Sequence, residues 1–457
     1  MKKNRIDFAQ SRREFLLKSG RLVSTIGAAA TLAPFGAVNA LAQSGDDYKA
    51  IICIFNFGGN DANNMIVPMG PNYAAYQRIR GSLALPEASL LSTPTSKGEA
   101  FGLHASLAPI HPLYAGKKLA LIANVGMLVK PLTREQYRSG AIPAPNNLFS
   151  HSDQQQQWQN ASPLTPATTG WAGRVADRVQ GFNAPSNFPP AVAVNGNSLQ
   201  LIGQETRPTT IGGEDFGIAG NDHTVISDAR QASLQEMLKF DSGVVLFQTA
   251  NRILSDAVAV SKQVEDATRG AAALTTAFPG TGLGRQLAQV ARIIQVRQAL
   301  GMKRQIFFVS QGGFDTHSAQ LGMHAGLMTE LSQAMLAFYN ATAEMGIADK
   351  VVTFTESEFN RTFQPNGNVG SDHAWGTHTL VLGGGVLGGD MYGSFPTQAL
   401  QGPSDSGDRG NWIPTMSLDQ YGATMAQWFG VNPLDLGLVF PNLANFTKKT
   451  VGFLPGT

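Results

Sequence analysis

Runs of apolar residues separated by polar, glycine-containing segments set the pattern of this chain. Six short runs rich in β-branched residues read as buried strands, at 50–56, 118–125, 191–194, 305–310, 350–355 and 379–382. A run without polar alternation is what a strand covered on both faces of a parallel sheet requires. Four longer stretches, at 227–239, 244–265, 283–300 and 321–345, place apolar residues at i, i+3 and i+4, the spacing of one helix face. Strands alternating with helices predict an α/β fold, a doubly wound and mostly parallel sheet flanked by helices. No repeat of fixed period interrupts the pattern, so residues 43–457 are expected to form a single domain with elaborated loops. The Pro-, Ser- and Thr-rich pieces at 86–98 and 161–169 read as surface loops.

The first 42 residues depart from this pattern. Ser11, Arg12, Arg13, Glu14, Phe15, Leu16, Leu17 and Lys18 match the twin-arginine export consensus, and an apolar stretch follows from Leu22 to about Phe35. That stretch is short for a membrane span and rich in Ala, Gly and Thr, while Ala40 and Ala42 offer an A-x-A cleavage site. The expectation is a cleaved leader, a translocase partner during export, a periplasmic or secreted protein and no stable membrane span afterwards.

Composition then narrows the function. With 43% hydrophobic and 14% charged residues, the chain has an ordinary globular balance. Its net charge of +2 draws on the leader's own basic residues, which leaves no basic footprint for nucleic acid. The single cysteine, Cys53, lies inside an apolar run, so no internal disulfide is available in an oxidising compartment. Fifty glycines cluster beside polar residues, as at Gly58–Gly59 and Gly312–Gly313, where backbone has to turn sharply or approach a ligand.

In an open α/β sheet, ligands bind at the carboxyl ends of strands, so the polar residues beside those ends form one set. Asp61 follows the first run, Asp315 and His317 the fourth, and Glu358 and Arg361 the fifth, while Asp372, His373 and His378 flank the start of the sixth. Carboxylates and neutral imidazoles are ligands for zinc, manganese or iron, so the set predicts a divalent metal site with one or two ions. Asp315 and His317, two apart on an extended segment, point to the same side. Asp61 also reads as a helix cap, and Glu358 with Arg361 as an ion pair. A hydroxyl nucleophile is sought in Ser150, His151 and Ser152, ahead of a helical segment whose N-terminus favours anions. Ser150 is preferred there, and capping is the alternative.

These motifs carry a resemblance. Phe57 to Asp61, Phe149 to His151, Gly312 to His317, Ser357 to Thr362 and Asp372–His373 look like the family called domain of unknown function 1501, over nearly all of the mature chain. That family is similar in turn to the alkaline phosphatase and sulfatase superfamily. The resemblance implies an alkaline-phosphatase-like sheet, Asp61, Asp315, His317, Glu358 and His373 or His378 as metal ligands, Ser150 as nucleophile and Arg361 as a clamp on a substrate oxygen. The pattern departs from the superfamily where Glu358–Phe359 replaces an Asp-His pair, and it lacks a Cys-x-Pro-x-Arg sulfatase signature. The expected function is an exported metal-dependent hydrolase of phosphate or sulfate esters. The alternative is a non-catalytic binding or assembly protein on the same fold.

Overall fold

The computed structural model describes residues 47–194, 196–213, 224–240 and 243–457, so the predicted leader at 1–42 lies outside them. Tyr48–Thr457 forms one compact unit. Its strands are β1 (Lys49–Asn56), β2 (Ile66–Pro68), β3 (Leu91–Pro94), β4 (Ala100–Leu103), β5 (Leu119–Gly126), β6 (Ala191–Val194), β7 (Thr209–Ile211), β8 (Arg304–Gln311), β9 (Val351–Glu356), β10 (Thr377–Leu382), β11 (Met391–Gly393) and β12 (Met416–Ser417).

Nine of these build the main sheet, in the order β11, β5, β10, β9, β1, β8, β6, β7, with β12 also on β5. All six predicted strands are present. β1 lies parallel between β8 and β9, with Asn56 level with Gln311 and Phe55 level with Glu356. The loops after these three strands therefore leave the sheet side by side. β10 runs antiparallel to both β5 and β9, which corrects its reading as a parallel strand. Its reversed direction brings the segment before it, 371–376, to the edge where β1, β8 and β9 end.

Alternate residues of β1 enter opposite cores. Ala50, Ile52 and Ile54 pack under the helices Gly282–Gln295 and Gln320–Glu344, whereas Ile51, Cys53 and Phe55 pack under Trp171–Val179 and Leu418–Phe429. Covering both faces explains the uninterrupted apolar run, because neither side of the strand meets water. The loop expected at 86–98 instead carries β3, which joins β2 and β4 in a small antiparallel sheet. Trp171 and Trp375 are fully enclosed and act as packing elements.

Candidate metal centre at the carboxyl edge of the sheet

Close backbone approach brings the site's loops together. At Gly58, with φ of +116°, a Cβ would lie 2.4 Å from the amide nitrogen of Asp315, so the loop after β1 can lie on the loop after β8 only without a side chain. Gly370 is equally constrained, since a Cβ there would stand 2.2 Å from the carbonyl carbon of His317.

Three histidines surround one oxygen of Asp315. The Nε2 atoms of His317, His151 and His373 lie 2.9, 3.4 and 3.4 Å from Asp315 Oδ1. The Nε2 atoms of His317 and His373 are 3.1 Å apart. His151 starts the helix His151–Asn160, His317 follows β8, and His373 sits in the segment leading to β10.

The far nitrogen of each ring fixes its orientation. His151 Nδ1 faces Glu358 Oε1 at 2.8 Å, His317 Nδ1 faces Asp372 Oδ1 at 3.0 Å, and His373 Nδ1 faces the Phe149 carbonyl at 2.8 Å. Each of these partners accepts, so a proton on Nδ1 satisfies it and leaves Nε2 as a lone pair toward Asp315 Oδ1. Asp315 Oδ1 is itself an acceptor, 2.9 Å from His317 Nε2, so either a proton on an Nε2 or a cation among the three nitrogens relieves the repulsion there. Buried His151 Nε2 has no hydrogen-bond partner.

The donor set fits a divalent ion. Ligand atoms about 2 Å from a tetrahedral ion stand roughly 3.3 Å apart, close to the separations here. The ligand atoms of His151, Asp315 and His373 all lie within 4.8 Å of one another, and His317, outside that group, stands at its rim, 2.9 Å from Asp315 Oδ1. Imidazoles backed by a carboxylate or carbonyl are the usual support of such ligands.

Charge around the site is arranged to match. The hydrogen bond and charge of Glu358 raise the pKa of His151 against the opposing effect of burial, so the ring welcomes positive charge, whether proton or ion. Burial lowers His373, which keeps it neutral. Burial pushes Asp315 up, but the Arg361 hydrogen bond and charge outweigh it and the carboxyl titrates below its ordinary range. For Asp372 too, burial is outweighed, here by Arg409, Asn366 and His317, and the carboxyl falls to about 2.

The predicted residues thus separate into three roles. Asp315, His317 and His373 meet as expected, and His151 joins them as a candidate ligand, although it was sought as part of the nucleophile. Glu358 and Asp372 are one bond removed, holding His151 and His317. Gly58 N–H and Gln155 Nε2 also donate to Glu358 Oε1, at 2.8 and 2.9 Å, which leaves that oxygen saturated.

Asp61 and His378 stand apart from the cluster. Asp61 Oδ2 accepts from the Arg80 guanidinium and from the Gln320 amide, in a pocket sealed from solvent. His378 Nδ1 accepts the Asn124 N–H at 3.0 Å, so its proton lies on Nε2, and the ring stacks on Phe395. Arg361 is fully enclosed, with Nη1 on Asp315 Oδ1 at 2.8 Å and on the Gly58 carbonyl at 3.2 Å, while Nη2 meets the Ser371 carbonyl. It orients Asp315 and has no access to a substrate oxygen. Ser150 occupies the N-cap position without making the cap bond, and its Oγ donates to Asp153 Oδ2 at 2.5 Å. Ser152 Oγ lies 3.2 Å from that of Ser150.

Arg80, Gln320, Asn366 and Arg409 went unread in the sequence, since each reaches its carboxylate across the fold or from outside any motif. The Phe149 carbonyl has no sequence signal at all.

A family described as "Protein of unknown function (DUF1501)" matches residues 48–406. No curated protein matches the chain. Among solved structures, Ps i-CgsB is similar at 9% identity and a TM-score of 0.34, over 87% of this chain and 77% of that chain. The lipoteichoic acid synthase LtaP from Listeria monocytogenes is similar at 6% identity and a TM-score of 0.32, over 85% and 73%. The phosphonate monoester hydrolase of Agrobacterium radiobacter is similar at 9% identity and a TM-score of 0.31, over 84% and 74%. Likeness at these scores assigns no chemistry.

Proposed function

This chain belongs to the DUF1501 family, and within it we propose that the protein is an exported, metal-dependent hydrolase of phosphate or sulfate esters. The observation that carries the reading is the convergence of three histidine Nε2 atoms on Asp315 Oδ1. His151, His317, His373 and Asp315 would hold the ion, with Glu358, Asp372 and the Phe149 carbonyl holding the rings and Arg361 holding the carboxylate. A divalent ion there supplies positive charge that acidifies a hydroxyl and neutralises ester oxygens. Ser150 and Ser152 flank the proposed ligand His151, and Ser150, whose Oγ donates to Asp153 Oδ2, is the hydroxyl assigned the nucleophile's role.

One ion, rather than two, is the number this reading carries. Asp61, the residue a second ion would need, is neutralised by Arg80. The leader read at 1–42 supports a site of action outside the inner membrane. No helix among the described residues is long and apolar enough to cross a membrane.

The test is metal analysis of the purified full chain together with turnover of an aryl phosphate and an aryl sulfate. The expectation is about one tightly bound divalent ion per chain and turnover that disappears on chelation. Ser150→Ala is expected to lose most turnover while keeping the ion, and unchanged turnover would pass the role to Ser152 or to water. A chain without bound metal sinks the reading. A bound ion with neither ester turned over favours the binding-protein alternative, for which the enclosure of Arg361 and the capture of Asp61 already speak.

A further inference from the structure

The helices Val225–Leu238 and Val245–Arg269 form a hairpin whose apolar surface is out of proportion to the rest of the molecule. Among the described residues, the second helix packs on the main core through its C-terminal half, where Val264 is buried and Val260 and Ala267 join that core. Its N-terminal half and nearly all of its partner helix stand clear, Ser227 being the one buried residue of that partner. Of the 17 large hydrophobic residues exposed among the described residues, 10 fall between Val225 and Leu254.

We propose that this hairpin is a self-association surface on which a second copy of the chain packs its own hairpin. Area is the first argument. Ten such residues, 45% to 86% exposed, present roughly 1,000 Å² over both helices, and since consecutive helix positions turn by about 100°, about half of it shares one face, at the upper end of the ~300–600 Å² of a typical monomer's largest patch and in the range of a small interface. The make-up of the face is the second, because Val225, Ile226, Ala229, Leu234 and Met237 share one open, nearly flat surface along one helix, with Arg230 and Ser233 among them. Leu246, Phe247 and Ile253 are exposed on the other helix. A two-fold arrangement lets the apolar surfaces of two hairpins face each other, giving four helices around one apolar seam.

Charge distinguishes this occupant from a lipid surface. Among the described residues from 224 to 260, Arg230, Lys239 and Arg252 balance Asp228, Glu236 and Asp256. The hairpin therefore lacks the basic surplus that draws an amphipathic helix to anionic lipid, while both signs can pair across a two-fold axis.

Sedimentation equilibrium of the full chain tests the proposal. The wild type is expected to be a dimer at micromolar concentration, and Leu246→Glu combined with Phe247→Glu to weaken association at least about 100-fold, the scale on which interface anchors act. Far-UV circular dichroism of the double variant should match the wild type, which separates lost association from lost folding. Leu434→Glu, at an exposed apolar position elsewhere, should remain dimeric. A wild type that is monomeric at 100 µM overturns the proposal, as does a double variant that stays dimeric. A monomer that sediments with phosphatidylglycerol vesicles through these residues overturns it in favour of lipid.

Discussion

Two groups of three histidines occupy the same fold and make opposite use of the same ring. In His151, His317 and His373, Nδ1 faces an acceptor and Nε2 is directed at Asp315 Oδ1. In the core, His104 and His378 accept backbone N–H groups at Nδ1, and His324 reaches Asn60 Oδ1 through Nε2. The core rings therefore carry their proton on Nε2 and have no lone pair there to give. Burial keeps them neutral besides, pushing His324 down to about 4 and His378 to about 3. What the two ring nitrogens face, more than burial, separates the two groups.

The largest effect should come from exchanging members of the two groups. His151→Ala or His373→Ala is expected to abolish stoichiometric metal, a loss beyond the roughly 100-fold that removal of an outer hydrogen-bond partner can cost. His378→Ala, although buried and predicted from sequence as a ligand, should retain the ion and lose about 2 kcal/mol of stability from the cavity it leaves. Titration with zinc and denaturant melts of the three variants decide this. Equal metal loss in all three would erase the distinction between the groups.

A smaller effect belongs to the carboxylates that act through the rings. Glu358→Gln and Asp372→Asn should weaken metal binding by about 10- to 100-fold while leaving full occupancy attainable at saturation, because each removes charge behind a ligand and leaves the ligand in place. Loss as complete as in the histidine variants would make Glu358 or Asp372 a ligand in its own right.

The sheet was legible because its chemistry is local. Apolar runs of strand length recovered all six strands, and helical spacing recovered the four long helices to within a few residues at most ends. The direction of β10 was not legible, since a strand buried on both faces reads the same either way. In the site, the strand-end rule placed Asp315 and His317 at the end of β8, and His373 joins them only because β10 runs antiparallel, a direction the sequence did not show. The rule could not rank carboxylates within a loop. Asp61 follows β1 as directly as Asp315 follows β8, and only Arg80, brought in by another segment, and Gln320, 259 residues away, remove it from the set. His151 was read for its helix N-terminus, and the ring orientation behind its proposed ligand role depends on Glu358, 207 residues distant.

Glu356 and Glu358, two residues apart, carry the same contrast at the smallest scale. Glu358 is satisfied by three donors at the site edge, whereas Glu356 points into the opposite core against Cys53 and Gln200, with Oε1 unbonded. Burial pushes Glu356 up to about 8 despite those two hydrogen bonds. The folded chain therefore keeps a proton that the unfolded chain sheds above about 4.5, so its contribution to stability is full below that pH and is lost as pH rises through 8. Between pH 6.5 and 8 this amounts to about 2 kcal/mol. Denaturant titrations at those two pH values should show that fall in the wild type and its absence in Glu356→Gln, which keeps the shape and removes the titrating proton. A fall of equal size in the variant would mean that Glu356 is already ionised inside the core. The stability near pH 7 would then have to come from a cation reaching the Cys53 side of the sheet, which nothing among the described residues supplies.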